Sequence, residues 1–278
     1  MKKNTFNRIV NGVSAIIVTL VLTLFLLPTV WTFFTSIKPA RLVASIPPAI
    51  IFTPTLEHYL QAFRSANFLR IFFNTVIVAG GTTIVVTIFG SLAAYGFVRF
   101  VTRANTPLLY FFMISRMIPS VATLMPLFIF MIKFRLLDTP IALILADSAF
   151  YLSFVIWLLR SFFLTIPIEL EEAALIDGAT RLQTLFKIFL PLAAPGMVVG
   201  MIFTFNFAWN ELMYSLTFSS IKSQTLPVLA AQYQTLAEGI QWGAMTAAAM
   251  IIMMPVLVFA LIVQRFMISG LTMGGVKE

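Results

Sequence analysis

Three acids stand within four positions, Glu169, Glu171 and Glu172, and they open the block of this chain best equipped to meet a partner. From Glu172 it reads Glu172-Ala173-Ala174, three residues ending in Asp177, then Gly178, nine residues, Ile188, one residue, and Leu190-Pro191. Carboxylates in the first turns of a helix are favoured by the backbone dipole and leave negative charge available to a docking surface. Thr165 and Pro167 are start signals for that helix. Gly178 is a stop, because glycine takes the left-handed conformation at little cost. Thr180 with Gln183 three residues on makes a capping-box pattern for a second helix, which carries Arg181 and Lys187 and is limited or kinked by Pro191. The block from 165 to 191 therefore predicts helix, sharp turn, helix. Ala173 and Ala174 leave a nearly bare surface that a partner pocket can approach.

Other residues with chemistry lie inside apolar runs. Arg116 and Asp147 each cost roughly 2.5–3.5 kcal/mol at mid-bilayer depth. Counting along straight helices puts Arg116 about 12 Å from one face and Asp147 about 10 Å from the other. An ion pair between them is feasible, either fixing the packing or lining a pathway. Pro119 and Pro126 remove helix hydrogen bonds, and broken helices are tolerated in membranes only where protein or a water-filled cavity covers them. Trp209-Asn210-Glu211 sets an aromatic face beside hydrogen-bonding groups, a combination that suits sugar hydroxyls, an interfacial anchor or a contact with another protein.

The elements that must position these groups are membrane helices. Of 278 residues, 60% are apolar and 10% charged, with a mean hydropathy of +1.00, which excludes a soluble globular domain. The absence of cysteine rules out disulfides and thiol metal sites, and His58 is the single histidine. The net charge of +8 comes from basic residues that flank apolar spans rather than cluster, which argues against nucleic acid and for interface anchors. The run following Lys2, Lys3 and Arg8 is too long for a signal peptide. Charge positions delimit six spans near Val10–Phe34, 71–98, Pro107–Ile132, Pro140–Leu159, Leu192–Thr217 and Trp242–Val263. Glycines and alanines from Gly80 to Gly96 offer close helix packing in the second. Of the 18 Lys and Arg, ten fall on the side of the termini and seven on the other, which favours cytoplasmic termini. The block at 165–191 lies on that same face, between the fourth and fifth spans. The fold class is all-α, a polytopic membrane protein in one domain.

The spacing of the 172–191 block resembles the EAA loop of the membrane subunits of bacterial ABC importers. Trp157-Leu158-Leu159-Arg160-Ser161-Phe162-Phe163, Ile166-Pro167-Ile168-Glu169-Leu170, Trp209-Asn210-Glu211 and the tail Gly270-Leu271-Thr272-Met273-Gly274-Gly275-Val276-Lys277 are similar to the carbohydrate-importing branch. The nearest likeness is to the smaller permease of maltose- and oligosaccharide-type importers. The chain departs from that pattern at Met273-Gly274-Gly275, where small residues with an alanine are expected, and at Glu278.

The resemblance implies a permease that forms half of a translocation pathway for a sugar. It would pair with a second homologous permease, two ATPase subunits and an extracytoplasmic solute-binding protein, in a bacterial inner membrane. Glu172, Ala173, Ala174, Asp177, Gly178, Ile188, Leu190 and Pro191 would couple to the ATPase. Gly270, Thr272 and Lys277 would touch it from the tail. Arg116, Pro119, Asp147, Asn210 and Glu211 are pathway or substrate candidates. No phosphate-binding loop of the G-x-x-x-x-G-K-[S/T] kind occurs, so the chain is not itself the ATPase. It would bind no cofactor, with ATP and Mg held by the partner. Two alternatives remain: an ABC permease for a phosphodiester, amino acid or peptide, or a stand-alone secondary transporter. The latter places coupling carboxylates at mid-membrane, where only Asp147 could serve.

Overall fold

The computed structural model describes residues 2–64, 67–100, 103–235 and 239–272, which are almost wholly helical. They form two compact units, Met1–Phe68 with Ala230–Met253, and Leu69–Leu229 with Met254–Glu278. In the first, α1 (Lys2–Ser36) is an apolar helix of 35 residues, followed by α2 (Ala40–Val43) and the short amphipathic α3 (Glu57–Arg64). None of the apolar stretch of α1 is buried within the chain, so its exposed face suits lipid or another subunit. Behind it, His58 Nε2 lies 2.9 Å from the Lys38 carbonyl, and the Lys38 ammonium sits 4.8 Å from the Trp31 ring centre. A two-residue antiparallel pair, β1 (Gln234–Thr235) with β2 (Gly239–Ile240), precedes the last helix of the chain.

The second unit holds the candidate site. It comprises α4 (Phe68–Arg99), α5 (Asn105–Met117), α6 (Ser120–Lys133), α7 (Pro140–Phe163), α8 (Glu169–Ile176), α9 (Arg181–Thr184) and α10 (Leu190–Leu192). It continues with α11 (Ala194–Trp209), α12 (Met213–Phe218) and the first residues of α13 (Leu226–Gln232). The final helix, α14, spans Trp242–Thr272. At the centre lies α7, capped at its start by Thr139, whose hydroxyl accepts from the Ala142 N–H. Close approach to α7 depends on glycine. A Cβ on Gly81 or Gly90 of α4 would stand 2.6 Å from Ile144 or 2.8 Å from Val155, and one on Gly196 of α11 would collide with the Phe162 ring. Of the small residues expected to pack in the second span, Gly81 and Gly90 do so, while Gly80 and Gly96 face open space.

Among the described residues, four helices are long and apolar enough to cross a membrane: the stretch Asn11–Ser36 in α1, then α4, α7, and Trp242–Leu261 in α14. Two further candidates are bent pairs, which bring the number to six if each pair is one span. The third span, expected to be interrupted at its prolines, breaks at Ile118-Pro119 with a 99° bend between α5 and α6. Pro119 lacks an N–H and drives the residue before it out of the helical region, and Ile118 accordingly sits at ψ 122°. The expected fifth span, Leu192–Thr217, is also revised. The run Arg181–Leu192 turns 80° into α11, and α11 ends at Trp209, with α12 a separate helix.

Candidate functional site

The block 165–191 folds as two short helices about a tight turn. Gly178 adopts φ +86°, and the turn closes through Gly178 N–H to the Leu175 carbonyl and Ala179 N–H to the Ala174 carbonyl. No atom would crowd a Cβ there, so the constraint at Gly178 is the backbone angle rather than space. Thr180 Oγ1 accepts from Gln183 N–H while the Gln183 side chain accepts from Thr180 N–H, a complete capping box for α9. Past α9 the helix widens into one π turn over Leu185–Phe189 before Pro191. The start of α8 differs from expectation. Its N-cap is Ile168, without a side-chain bond, because the Thr165 hydroxyl donates to the Phe162 carbonyl and closes the end of α7 instead.

Exposure divides the block into an outer edge and a root. Glu172, Ala173, Asp177, Gly178 and Pro191 are exposed, beside Ile176 at 86%, Leu182 and Phe186, a surface both acidic and apolar. Ile188 and Leu190 are half-buried. Ala174 is buried, so the bare alanine surface is Ala173 alone.

The root is organised by Glu171, which is only 4% exposed. Its Oε1 accepts from the Tyr95 hydroxyl at 2.8 Å. Arg99 Nε stands 2.7 Å from Oε2, a charge contact rather than an aligned hydrogen bond. Arg181 Nη1, half in solvent, lies 3.6 Å from Oε1 and contributes little through charge. Arg99 also donates through Nη2 to the Ile166 carbonyl and stacks 4.6 Å from the centre of the Phe189 ring. Phe189 in turn meets Tyr95 and Phe163 edge to face. The end of α4, both limbs of the block and the end of α7 thus converge on one carboxylate. Sequence reading grouped Glu171 with its exposed neighbours and read Arg99 as an interface anchor. The only signals were the i, i+4 spacing of Tyr95 and Arg99 and the acid beside the motif, and neither reveals the fold that joins them.

Arg116 and Asp147 do not form an ion pair. Depth counted along a straight third span does not apply after the 99° bend. Arg116 instead lies 4.8 Å from the Phe154 ring centre and 5.8 Å from that of Phe207, and Asp147 Oδ1 is buried without a hydrogen-bond partner. Trp209 is buried, stacked on Phe205 and edge-on to Phe72, so it offers no open aromatic face. Asn210 bonds back to Asn206. Glu211 accepts from the Tyr214 and Ser215 N–H groups and holds the start of α12. Pro119 marks the α5–α6 break. Gly270 and Thr272 belong to the end of α14, and Lys277 lies outside the described residues.

A second carboxylate, Asp138, went unnoticed in the sequence. At φ +56° between α6 and α7, it accepts from the backbone N–H groups of Ser220, Ile221, Lys222 and Ser223, and from the Ser223 hydroxyl. From α4, Arg70 donates to the Ile221 carbonyl, and Asn74 donates to those of Lys222 and Gln224. Burial alone would raise Asp138, yet the four amides hold its carboxyl well below the usual carboxylate range.

The family described as "Binding-protein-dependent transport system inner membrane component" matches residues 86–272. The chain is 36% identical to the trehalose transport system permease protein SugB of Mycobacterium tuberculosis, over 95% of this chain and 96% of that one. It is 31% identical to the trehalose/maltose transport system permease protein MalG of Thermococcus litoralis, over 100% and 99%. Among solved structures, a bacterial ABC transporter involved in importing the acidic polysaccharide alginate superposes with a TM-score of 0.76 at 20% identity, over 93% of this chain and 96% of that one.

Proposed function

Because the chain belongs to the family of inner-membrane components of binding-protein-dependent transport systems, we propose that it is one permease half of an ATP-driven importer for a sugar or oligosaccharide. Relatives named for trehalose, maltose and diacetylchitobiose support that substrate class. A second permease completes the pathway across six spans per subunit, a solute-binding protein delivers the sugar from outside, and two ATPase subunits sit below. ATP and Mg belong to those subunits. The termini face the cytoplasm, with the end of α14 and the segment after it, including Lys277, reaching toward the ATPases.

The observation that carries this reading is the block 165–191, with its outer edge open and its root locked. Glu172, Ala173, Asp177 and Gly178 protrude with the uncovered side chains of Ile176, Leu182 and Phe186, while Glu171 ties the base to α4. An acidic and apolar edge on a rigid base suits a pocket in another protein, and its Glu172 to Pro191 spacing fits the ATPase-facing loop. Transport then follows if the docked edge makes different contacts in the ATPase's open and closed states, so that nucleotide shifts the helices between inward and outward openings.

The test is the edge itself. Glu172→Lys and Gly178→Asp should leave membrane insertion and pairing with the second permease near normal while abolishing ATPase association and uptake. Uptake and binding-protein-stimulated hydrolysis at wild-type level in either variant would remove the assignment.

A further inference from the structure

We infer that the Glu171 hub is a strut that makes α4 move as one body with the ATPase-facing block. This rests on the reading of 165–191 given above. The block is covalently continuous with α7 on one side and α11 on the other, but both connections contain joints. Toward α7 lie the turn residues Leu164–Ile168, and toward α11 lie the π turn and an 80° bend. No such chain connection leads to α4, whose end is separated from the block by the whole of α5, α6 and α7.

Side chains make that link. Tyr95 and Arg99 lie one turn apart on α4 and both meet Glu171 of α8. The Tyr95 hydroxyl also lies 3.4 Å from the Arg181 carbonyl on the other limb, and Arg99 reaches the Ile166 carbonyl. Phe189 packs beneath both α4 residues. The grip is therefore on both limbs of the block, not on one. Its charges are shielded from water, with the Arg99 and Glu171 side chains 8% and 5% exposed, so salt weakens the attraction little. A displacement applied at Glu172–Gly178 passes directly into α4, while the covalent routes can flex. Tyr95, Arg99 and Glu171 are positioning residues. They transmit motion and touch neither nucleotide nor solute.

Coupling of this kind needs a measured two-state response rather than adjacency. The chain has no cysteine, so labels can be placed at will. Leu170→Cys on α8, away from the docking edge, and Phe89→Cys on α4, both exposed, would carry spin labels in the complete transporter, with the partner subunits' cysteines replaced. The distance between labels is read without nucleotide and with ATP trapped by vanadate. With the hub intact, one narrow distance common to both states is expected. With Glu171→Gln, or with Tyr95→Phe, which removes one hydroxyl and keeps the packing, the distance should broaden or differ between states.

A distance that changes with nucleotide in the unmodified hub would overturn the strut. So would an unchanged distance in both hub variants. The readout does not depend on which sugar is carried. If no ATPase co-purifies with the unmodified chain, the functional reading fails and the strut with it, whereas a normal complex with the wrong distances removes the strut alone.

Discussion

Asp138 and Glu171 bracket α7, one just before it and one just after, and each holds a connector beside α4, near its start for Asp138 and at its finish for Glu171. They are neutralised by different partners. Asp138 is satisfied by four consecutive backbone N–H groups, which cannot leave without refolding the loop that carries them. Glu171 is satisfied by side chains, Tyr95, Arg99 and Arg181, each with rotamers of its own. The first arrangement fixes a loop in one conformation. The second joins separate elements while leaving their backbones independent.

Breaking the side-chain arrangement should have the largest effect. Glu171→Ala leaves Arg99 buried beside Phe189 without its carboxylate, and removing one partner of a buried pair costs about 3–5 kcal/mol. Thermal unfolding of the purified complex should show the loss, together with weaker association of α8 with α4. A loss no greater than that of Glu172→Ala, on the exposed edge, would mean that the hub is not buried in the assembly.

Asp138→Ala should come next. It strands four amides at the surface of the unit, where water can partly replace the acceptor, so about 1–3 kcal/mol is expected, and less for Asp138→Asn, which keeps one oxygen. The pH dependence tests the amide-held carboxylate further. A group held below its unfolded value, about 3.9 for aspartate, stabilises at every pH above that value and stops doing so as pH falls through its folded value. Hydrogen-exchange protection of Ser220–Ser223 should therefore be flat from about pH 8 to about pH 5 and decline only in stronger acid, below the unfolded value. In Asp138→Asn that decline should vanish. Protection lost near neutral pH would contradict the amide-held carboxylate.

The capping box offers a smaller effect at the turn of the block 165–191. Thr180→Ala removes the acceptor for Gln183 N–H and should cost about 1 kcal/mol of local stability. Because Glu171 grips α9 through the Arg181 carbonyl and guanidinium, via Tyr95 and directly, the loss should be visible as faster proteolysis near Gly178 rather than as failure to assemble.

What the sequence revealed and what it hid follow the same division. Gly178, Thr180 with Gln183, and Pro119 were legible because each acts through its own backbone: a positive φ, a reciprocal cap three residues apart, a missing N–H. The helical class and the outer edge of the block were legible for the same local reasons. Tyr95, Arg99 and Glu171 were not, since their meeting depends on α4 returning beside α8 across three intervening helices. Asp138 was hidden because its partners are peptide groups, which every residue but proline carries and no composition can mark. Trp209 misled, as an aromatic next to polar residues reads alike whether it faces a sugar or Phe205 and Phe72.

The smallest expected effect concerns Arg116 and Asp147, and it tests whether charge inside α5 and α7 is organised as at Glu171. Straight-helix counting paired them, but the bend at Pro119 separates the two lines of depth, and Arg116 is instead stabilised over the Phe154 and Phe207 rings. Residues that do not touch add within about 0.5 kcal/mol, whereas contacting pairs in one network couple by about 0.5–3 kcal/mol. A double-mutant cycle on unfolding should therefore be close to additive for Arg116→Ala with Asp147→Ala and clearly non-additive for Arg99→Ala with Glu171→Ala. The two singles at the first pair should differ. Arg116→Ala loses a cation over two rings, which is worth about 2 kcal/mol when desolvated. Asp147→Ala removes a buried oxygen that has no partner and should be nearly neutral or stabilising. If Asp147→Ala instead destabilised as much as Glu171→Ala, Asp147 would have a partner supplied by another subunit, and the contrast between a paired and an unpaired carboxylate would hold only for the isolated chain.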